Sequence, residues 1–142
     1  MLLYKLIDKV PFFDELTKDE KAALVEADSY FSTYEPSTVI IREGDEDTTL
    51  FILLDGNVLV TKNNTPLTKL HPGAVFGEMS FFTKKPRSTD IISMDKVTVF
   101  QLNSEMFPQL SVELQHKLQS RFIDILARRL DEMNGAIAKL FR

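Results

Sequence analysis

The chain has 142 residues, 44% of them hydrophobic, with 17 basic and 21 acidic residues and a formal charge of −4. That is the length of one domain with material for a real core, and the mild acidity gives no support for non-specific nucleic-acid binding, which needs a basic face. The absence of cysteine, and two histidines far apart at His71 and His116, exclude disulfides, thiolate sites and a histidine-rich metal centre.

The opening MLLYKLIDKVPFFDEL is apolar but broken by Lys5, Asp8 and Lys9. It is too short and too charged for a secretory signal or a membrane span, and a cytoplasmic setting is expected. Residues 1–28 read as helical. Thr17-Lys18-Asp19-Glu20 is a capping box, in which the threonine hydroxyl accepts from the N3 amide while the glutamate reaches back.

Residues 29–102 read as short strands rich in β-branched and aromatic residues: Tyr30–Tyr34, Thr38–Arg42, Thr49–Leu54, Asn57–Lys62, Pro66–His71, Arg87–Met94 and Val97–Leu102. Glu35-Pro36-Ser37, Glu43-Gly44-Asp45, Asn63-Asn64, His71-Pro72-Gly73 and Asp95-Lys96 punctuate them. Asp55-Gly56 is the sharpest turn signal and predicts a two-residue hairpin joining Leu54 to Asn57. Short strands at this spacing predict a sandwich or barrel such as a jelly roll. Val75 to Lys85 breaks the pattern and reads as a short helix inserted between strands.

Residues 104–142 are again helical. Ser104–Leu110 forms a short helix stopped near Pro108 or Ser111, and one long helix runs from Val112 onward. Ile123, Leu126, Leu130, Met133, Ile137 and Leu140 step by 3, 4, 3, 4 and 3 along it, an a/d heptad seam. Leu118, Phe122 and Ile125 lie on an adjoining face. Two apolar faces point to two tasks, covering the sandwich and meeting a partner helix; a single broad face packed on its own domain is the alternative. No room is expected for a second folded domain.

The stretch FGEMSFFTKKPRSTD, Phe76 to Asp90, carries the chemistry. Gly77 permits close backbone approach, and a helical turn from Glu78 aims free amides at one point. Arg87 adds a planar fork suited to two phosphodiester oxygens, and Ser88 a hydroxyl beside it. Glu78 repels phosphate but accepts from a sugar hydroxyl. The simpler reading is a first-turn acid and a plain Glu78–Arg87 ion pair.

This stretch resembles the phosphate-binding cassette of cyclic nucleotide-binding domains. In the regulatory subunits of cyclic-AMP-dependent protein kinase the cassette runs Phe-Gly-Glu, an apolar residue, a small residue, two apolar residues, three loop residues and Pro-Arg. Here Phe76-Gly77-Glu78, Met79, Ser80, Phe81-Phe82, Thr83-Lys84-Lys85 and Pro86-Arg87 keep that spacing. The catabolite activator family has a similar cassette with serine after the arginine, as Ser88 is here. Arg42-Glu43-Gly44-Asp45, the run Leu50 to Val58, Leu70 to Gly73 and Ile125 to Leu130 resemble the family's flanking turns, hairpin and closing helix.

The resemblance implies a mainly β fold with flanking helices: a double-stranded β-helix (jelly roll) with N-terminal helices over 1–28, a β-roll over 29–102 holding the cassette at 76–90, and C-terminal helices over 104–142, all one domain. It implies a cyclic AMP or cyclic GMP ligand, cyclic AMP favoured, and no metal. Glu78 accepts from the ribose 2′-hydroxyl and Arg87 holds the cyclic phosphate. Phe76, Gly77, Met79, Ser80 and Pro86 form the cassette, and Ser88 and Thr89 meet phosphate or base. The C-terminal helix then covers the base, with Arg128, Arg129, Glu132 and Asn134 as candidate covering residues, and its movement is the output. Thr89 and Asp90 depart from the family's usual alanine and threonine.

No nucleophile–base pair or catalytic carboxylate pair is apparent, so no enzyme is expected. A homodimer through the long helix is the expected protein partner, without direct nucleic-acid binding by this chain. The alternatives are a degenerate, non-binding scaffold used for dimerisation, and the sensor part of a longer transcription regulator.

Overall fold

The computed structural model describes residues 2–141. It divides into two compact units, Met1–Gln109 and Leu110–Arg142.

In the first unit, α1 (Leu2–Lys9), a 3₁₀ turn (Pro11–Phe13) and α2 (Lys18–Ala27) come first. The Thr17 hydroxyl accepts from the Glu20 amide at 3.1 Å and Glu20 accepts from the Thr17 amide at 2.8 Å, so the capping box forms in full. Buried Lys21 of α2 donates to Asp8 of α1 at 2.8 Å and ties the two helices together.

Eight strands follow among the described residues: β1 (Phe31–Tyr34), β2 (Val39–Ile41), β3 (Leu50–Asp55), β4 (Val58–Lys62), β5 (Thr65–Leu70), β6 (Val75–Phe76), β7 (Asp90–Ser93) and β8 (Val97–Leu102). They pair antiparallel in two four-stranded sheets, ordered β1-β8-β3-β6 and β2-β7-β4-β5. Ile41, Phe51, Leu53, Val58, Phe76, Ile91, Val97 and Val99 from both sheets form one buried cluster. β3 is buried on both faces, which is why it reads as the unbroken apolar run Leu50-Phe51-Ile52-Leu53-Leu54. On the face of β8 away from that cluster, Phe100 meets Phe13 edge-on at 5.3 Å and stacks on Tyr30 at 6.0 Å. The architecture is mainly β, a jelly-roll-like double sheet with flanking helices.

Three local expectations are corrected. Asp55-Gly56 does not make a hairpin, because β3 and β4 lie in different sheets. Gly56, at φ +83°, steers the chain across the roll; Asp95 of the neighbouring β7–β8 crossing fastens that passage by accepting from the Asn57 amide at 2.7 Å and its side-chain Nδ2 at 3.1 Å. The two-residue hairpin sits instead at Asn63-Asn64, both with positive φ, between β4 and β5. The strand expected over Arg87–Met94 is only β7, because the Arg87 amide bonds to the Asp45 carbonyl outside the ladder. Ser104–Leu110 holds only a 3₁₀ turn at Phe107–Gln109, since Pro108 lacks the N–H that a longer helix needs. The two-residue β6 precedes the inserted helix α3 (Glu78–Thr83).

The second unit is dominated by α4 (Val112–Leu140), 29 residues long, capped by the Ser111 hydroxyl accepting from the Leu114 amide at 3.2 Å. Gly135 does not interrupt it. Leu114, Leu118 and Phe122 are buried, Ile125 and Leu126 are half-buried, and the seam residues Ile123, Leu130, Met133, Ile137 and Leu140 are 49–80% exposed.

Candidate functional site

The site is built on two loops of the first unit. Gly77, at φ +74°, ends β6 and caps α3. A Cβ there would stand 2.8 Å from the Thr49 carbonyl and 2.9 Å from Arg87 Nη1, so the position admits glycine alone. Within α3, Glu78 and Ser80 are buried and Met79 faces outward. The chain leaves α3 through Lys84 in a left-handed cap, with Lys84 Nζ 5.1 Å over the Phe81 ring and bonded to the Phe81 carbonyl and the Ser104 hydroxyl. Phe76 stacks on Phe51 at 5.0 Å and anchors the entry to the cassette in the core.

Arg87 is the centre of the arrangement. Its side chain is 3% exposed. Nη1 donates to the Gly77 carbonyl at 2.8 Å, and Nη2 donates to the Thr49 carbonyl at 2.6 Å and to Asp47 Oδ2 at 3.3 Å. Buried Nε has no hydrogen-bond partner among the described residues. A carboxylate paired with Arg87 is Asp47. Burial lowers the Arg87 pKa, and the Asp47 charge and hydrogen bond oppose that. Burial also works against ionisation of Asp47, but hydrogen bonds from the Thr49 hydroxyl and amide, together with Arg87, outweigh it and hold this carboxyl below its ordinary range.

The backbone at Arg87 is clamped as firmly as its side chain. The Gly44 amide donates to the Arg87 carbonyl at 2.9 Å and the Arg87 amide to the Asp45 carbonyl at 2.8 Å. Asp90 accepts from the Glu43 amide at 2.6 Å, which explains an acid where the sequence pattern departs: it staples the 43–45 turn to the end of the cassette. Lys62 closes the clamp, donating to Glu43 at 3.1 Å and to the Ser88 carbonyl at 2.9 Å. Ser88 and Pro86 are exposed and Thr89 is half-buried.

Of the residues singled out from sequence, Phe76, Glu78, Ser80 and Arg87 are buried, Gly77 is half-buried with its carbonyl bonded to Arg87, and Met79 and Pro86 are exposed. Asp47, Thr49 and Lys62 were missed. Only the Asp47-x-Thr49 spacing hinted at the first two, as an aspartate bonding its own chain two residues on. Among the described residues, no group of three or more histidines and acids could hold a metal ion, and no helix is long and apolar enough to cross a membrane.

A glycine turn, a buried acid and a buried arginine fork on one short helix-and-loop insert form the same arrangement as a known family pattern, and the profile described as "Cyclic nucleotide-binding domain" matches residues 31–113. The chain belongs to the cyclic nucleotide-binding domain family. The domain is 25% identical over 126 residues to a cAMP-dependent protein kinase regulatory subunit of Dictyostelium discoideum, covering 83% of this chain and 38% of that protein. It is 27% identical over 114 residues to a cGMP-dependent protein kinase of Eimeria tenella, covering 80% and 11%. Among solved structures, the Thermus thermophilus catabolite activator protein superposes with a TM-score of 0.74 at 26% identity, over 92% of this domain and 62% of that chain. The domain therefore spans well under half the length of these curated relatives.

Proposed function

We propose that this chain is a sensor, regulatory and not catalytic, that binds a cyclic nucleotide in a cytoplasmic setting, cyclic AMP in preference to cyclic GMP, through one domain spanning residues 1–142. The observation that carries the reading is Arg87 Nε, a buried charged donor with no partner among the described residues. Such a donor is costly unless an acceptor meets it, and the oxygen of a cyclic phosphate supplies one. Arg87 holds the phosphate, Glu78 accepts from the ribose 2′-hydroxyl, and Phe76, Gly77, Met79, Ser80 and Pro86 shape the cassette around them. Ser88 and Thr89 face phosphate or base. The output is a change in the position of α4. Ligand shifts that equilibrium only by its difference in affinity for the two positions.

Thermal melting with cyclic AMP, cyclic GMP and 5′-AMP tests this. At about 100 times Kd the right cyclic nucleotide adds roughly 2.7 kcal/mol, a rise of several degrees for a domain of this size. No rise at millimolar ligand would leave a non-binding scaffold.

The exposed seam of α4 supports a second element of the proposal, a homodimer through Ile123, Leu126, Leu130, Met133, Ile137 and Leu140. Replacing Leu130 and Met133 with lysine is expected to leave the chain folded and monomeric. Sedimentation decides this, and a monomeric wild type would remove the dimer.

A further inference from the structure

We propose that Asp47 makes the Arg87 pocket a charge filter, one that accepts a phosphodiester monoanion and rejects a phosphomonoester dianion. The inference rests on the cyclic nucleotide reading above and adds what sets the ligand class at the phosphate.

A guanidinium carries five N–H donors and one positive charge. Here Nη1 donates to the Gly77 carbonyl and Nη2 to the Thr49 carbonyl and Asp47, so three of the five N–H groups are taken, and the buried Nε has no partner among the described residues. The charge of Arg87 is thus already matched once inside the protein. The other charged groups around the cassette do not relieve this. Asp45 lies close enough to act on the Arg87 charge. Glu78 opens α3 beside Gly77 and is buried. Lys62 is paired with Glu43 and held on the Ser88 carbonyl, and Lys84 is held at the far end of α3 by the Phe81 carbonyl and Ser104. Tyr34, near Asp47, has its pKa raised by burial and stays neutral at physiological pH. One phosphate charge is met by Nε and the shared guanidinium. A second would enter a buried site beside Asp47, whose charge already offsets that of Arg87, and like charges in such surroundings repel strongly.

A cyclic phosphate carries a single charge at all relevant pH. A 5′-monophosphate loses its second proton near pH 6, roughly. The same molecule can therefore be presented at either charge without change of shape. Asp47 stays ionised through this window, because its Thr49 and Arg87 contacts overcome burial and hold its pKa below the ordinary range.

The test measures affinity by calorimetry for cyclic AMP and 5′-AMP, and for cyclic GMP and 5′-GMP, at pH 5 and pH 7, on wild type and Asp47→Asn. In wild type the cyclic nucleotide should bind equally at both pH values, while its 5′-monophosphate should bind about tenfold tighter at pH 5, where the monoanion predominates. Asparagine keeps an oxygen for Thr49 but removes the charge, so the slope should disappear and the dianion should gain on the cyclic nucleotide at pH 7. A monophosphate whose affinity is the same at both pH values, or that stays unbound at pH 5, assigns its exclusion to shape and overturns the filter while leaving the cyclic nucleotide reading intact. A slope unchanged in Asp47→Asn overturns the role of Asp47. Cyclic nucleotides that bind wild type at neither pH overturn the binding reading and the filter with it. Should the asparagine variant unfold at the assay temperature, the wild-type comparison still decides between charge and shape.

Discussion

Arg87→Ala is expected to lower cyclic nucleotide affinity by about 2–5 kcal/mol, as for truncating one partner of a buried charge pair. The size follows from the chemistry of the fork: Gly77, Thr49 and Asp47 take three of its five N–H groups, and the buried Nε is turned to no acceptor among the described residues. Lysine should not rescue the variant, because a compact ammonium lacks the planar fork that reaches the Gly77 and Thr49 carbonyls at once and turns Nε to another side. The fold should survive, since the ring of contacts at 43–45 and 90 holds the backbone of the loop without the side chain. Calorimetry with cyclic AMP and cyclic GMP, beside a urea melt, separates the two effects. Affinity unchanged in a folded Arg87→Ala protein would remove this pocket from consideration.

Gly77→Ala is expected to damage both stability and binding. The left-handed backbone alone costs an alanine about 1–2 kcal/mol. The added methyl must also displace the Thr49 carbonyl or the Arg87 guanidinium, which it would meet at 2.8 and 2.9 Å, and overpacking of this kind costs about 1–3 kcal/mol more. Neither neighbour moves freely: Thr49 leads into the doubly buried β3, and Arg87 is fixed by its three acceptors. A urea melt should lose about 2–5 kcal/mol. In whatever fraction remains folded, the guanidinium is turned and ligand affinity falls with it. Wild-type stability in Gly77→Ala would mean that the turn relaxes without disturbing Arg87.

Features written in neighbouring residues were legible in the chain. Thr17 and Glu20 predicted their own capping box, the heptad steps from Ile123 predicted one continuous helix, and Gly77-Glu78 and Pro86-Arg87 marked the two ends of the insert. What failed depended on partners far along the chain. Asp55-Gly56 signals a positive φ, and that much is true of Gly56, but a dipeptide does not say which strand lies alongside; Asp95 settles that from 38 residues away. β6 is two residues long, too short for any periodicity, and is a strand only because β3 lies next to it. Asp47 sits in the run Glu43-Gly44-Asp45-Glu46-Asp47, which reads as a solvated acidic turn. Its contact with Arg87 spans 40 positions and is a product of the roll.

The order of strands in the first sheet has a consequence for how the protein is made. β8 is the last strand in sequence, yet it lies between β1 and β3, with Phe100 opposite both Phe31 and Ile52. During synthesis, β1 and β3 have no route into a common sheet until Leu102 has left the ribosome. Until then the Leu50–Leu54 run, which ends up covered on both sides, is without its central neighbour. Sheets closed by such distant pairings form slowly and leave apolar edges open to aggregation meanwhile. In the finished sheet β1 and β3 are joined only through β8, a strand made after the cassette.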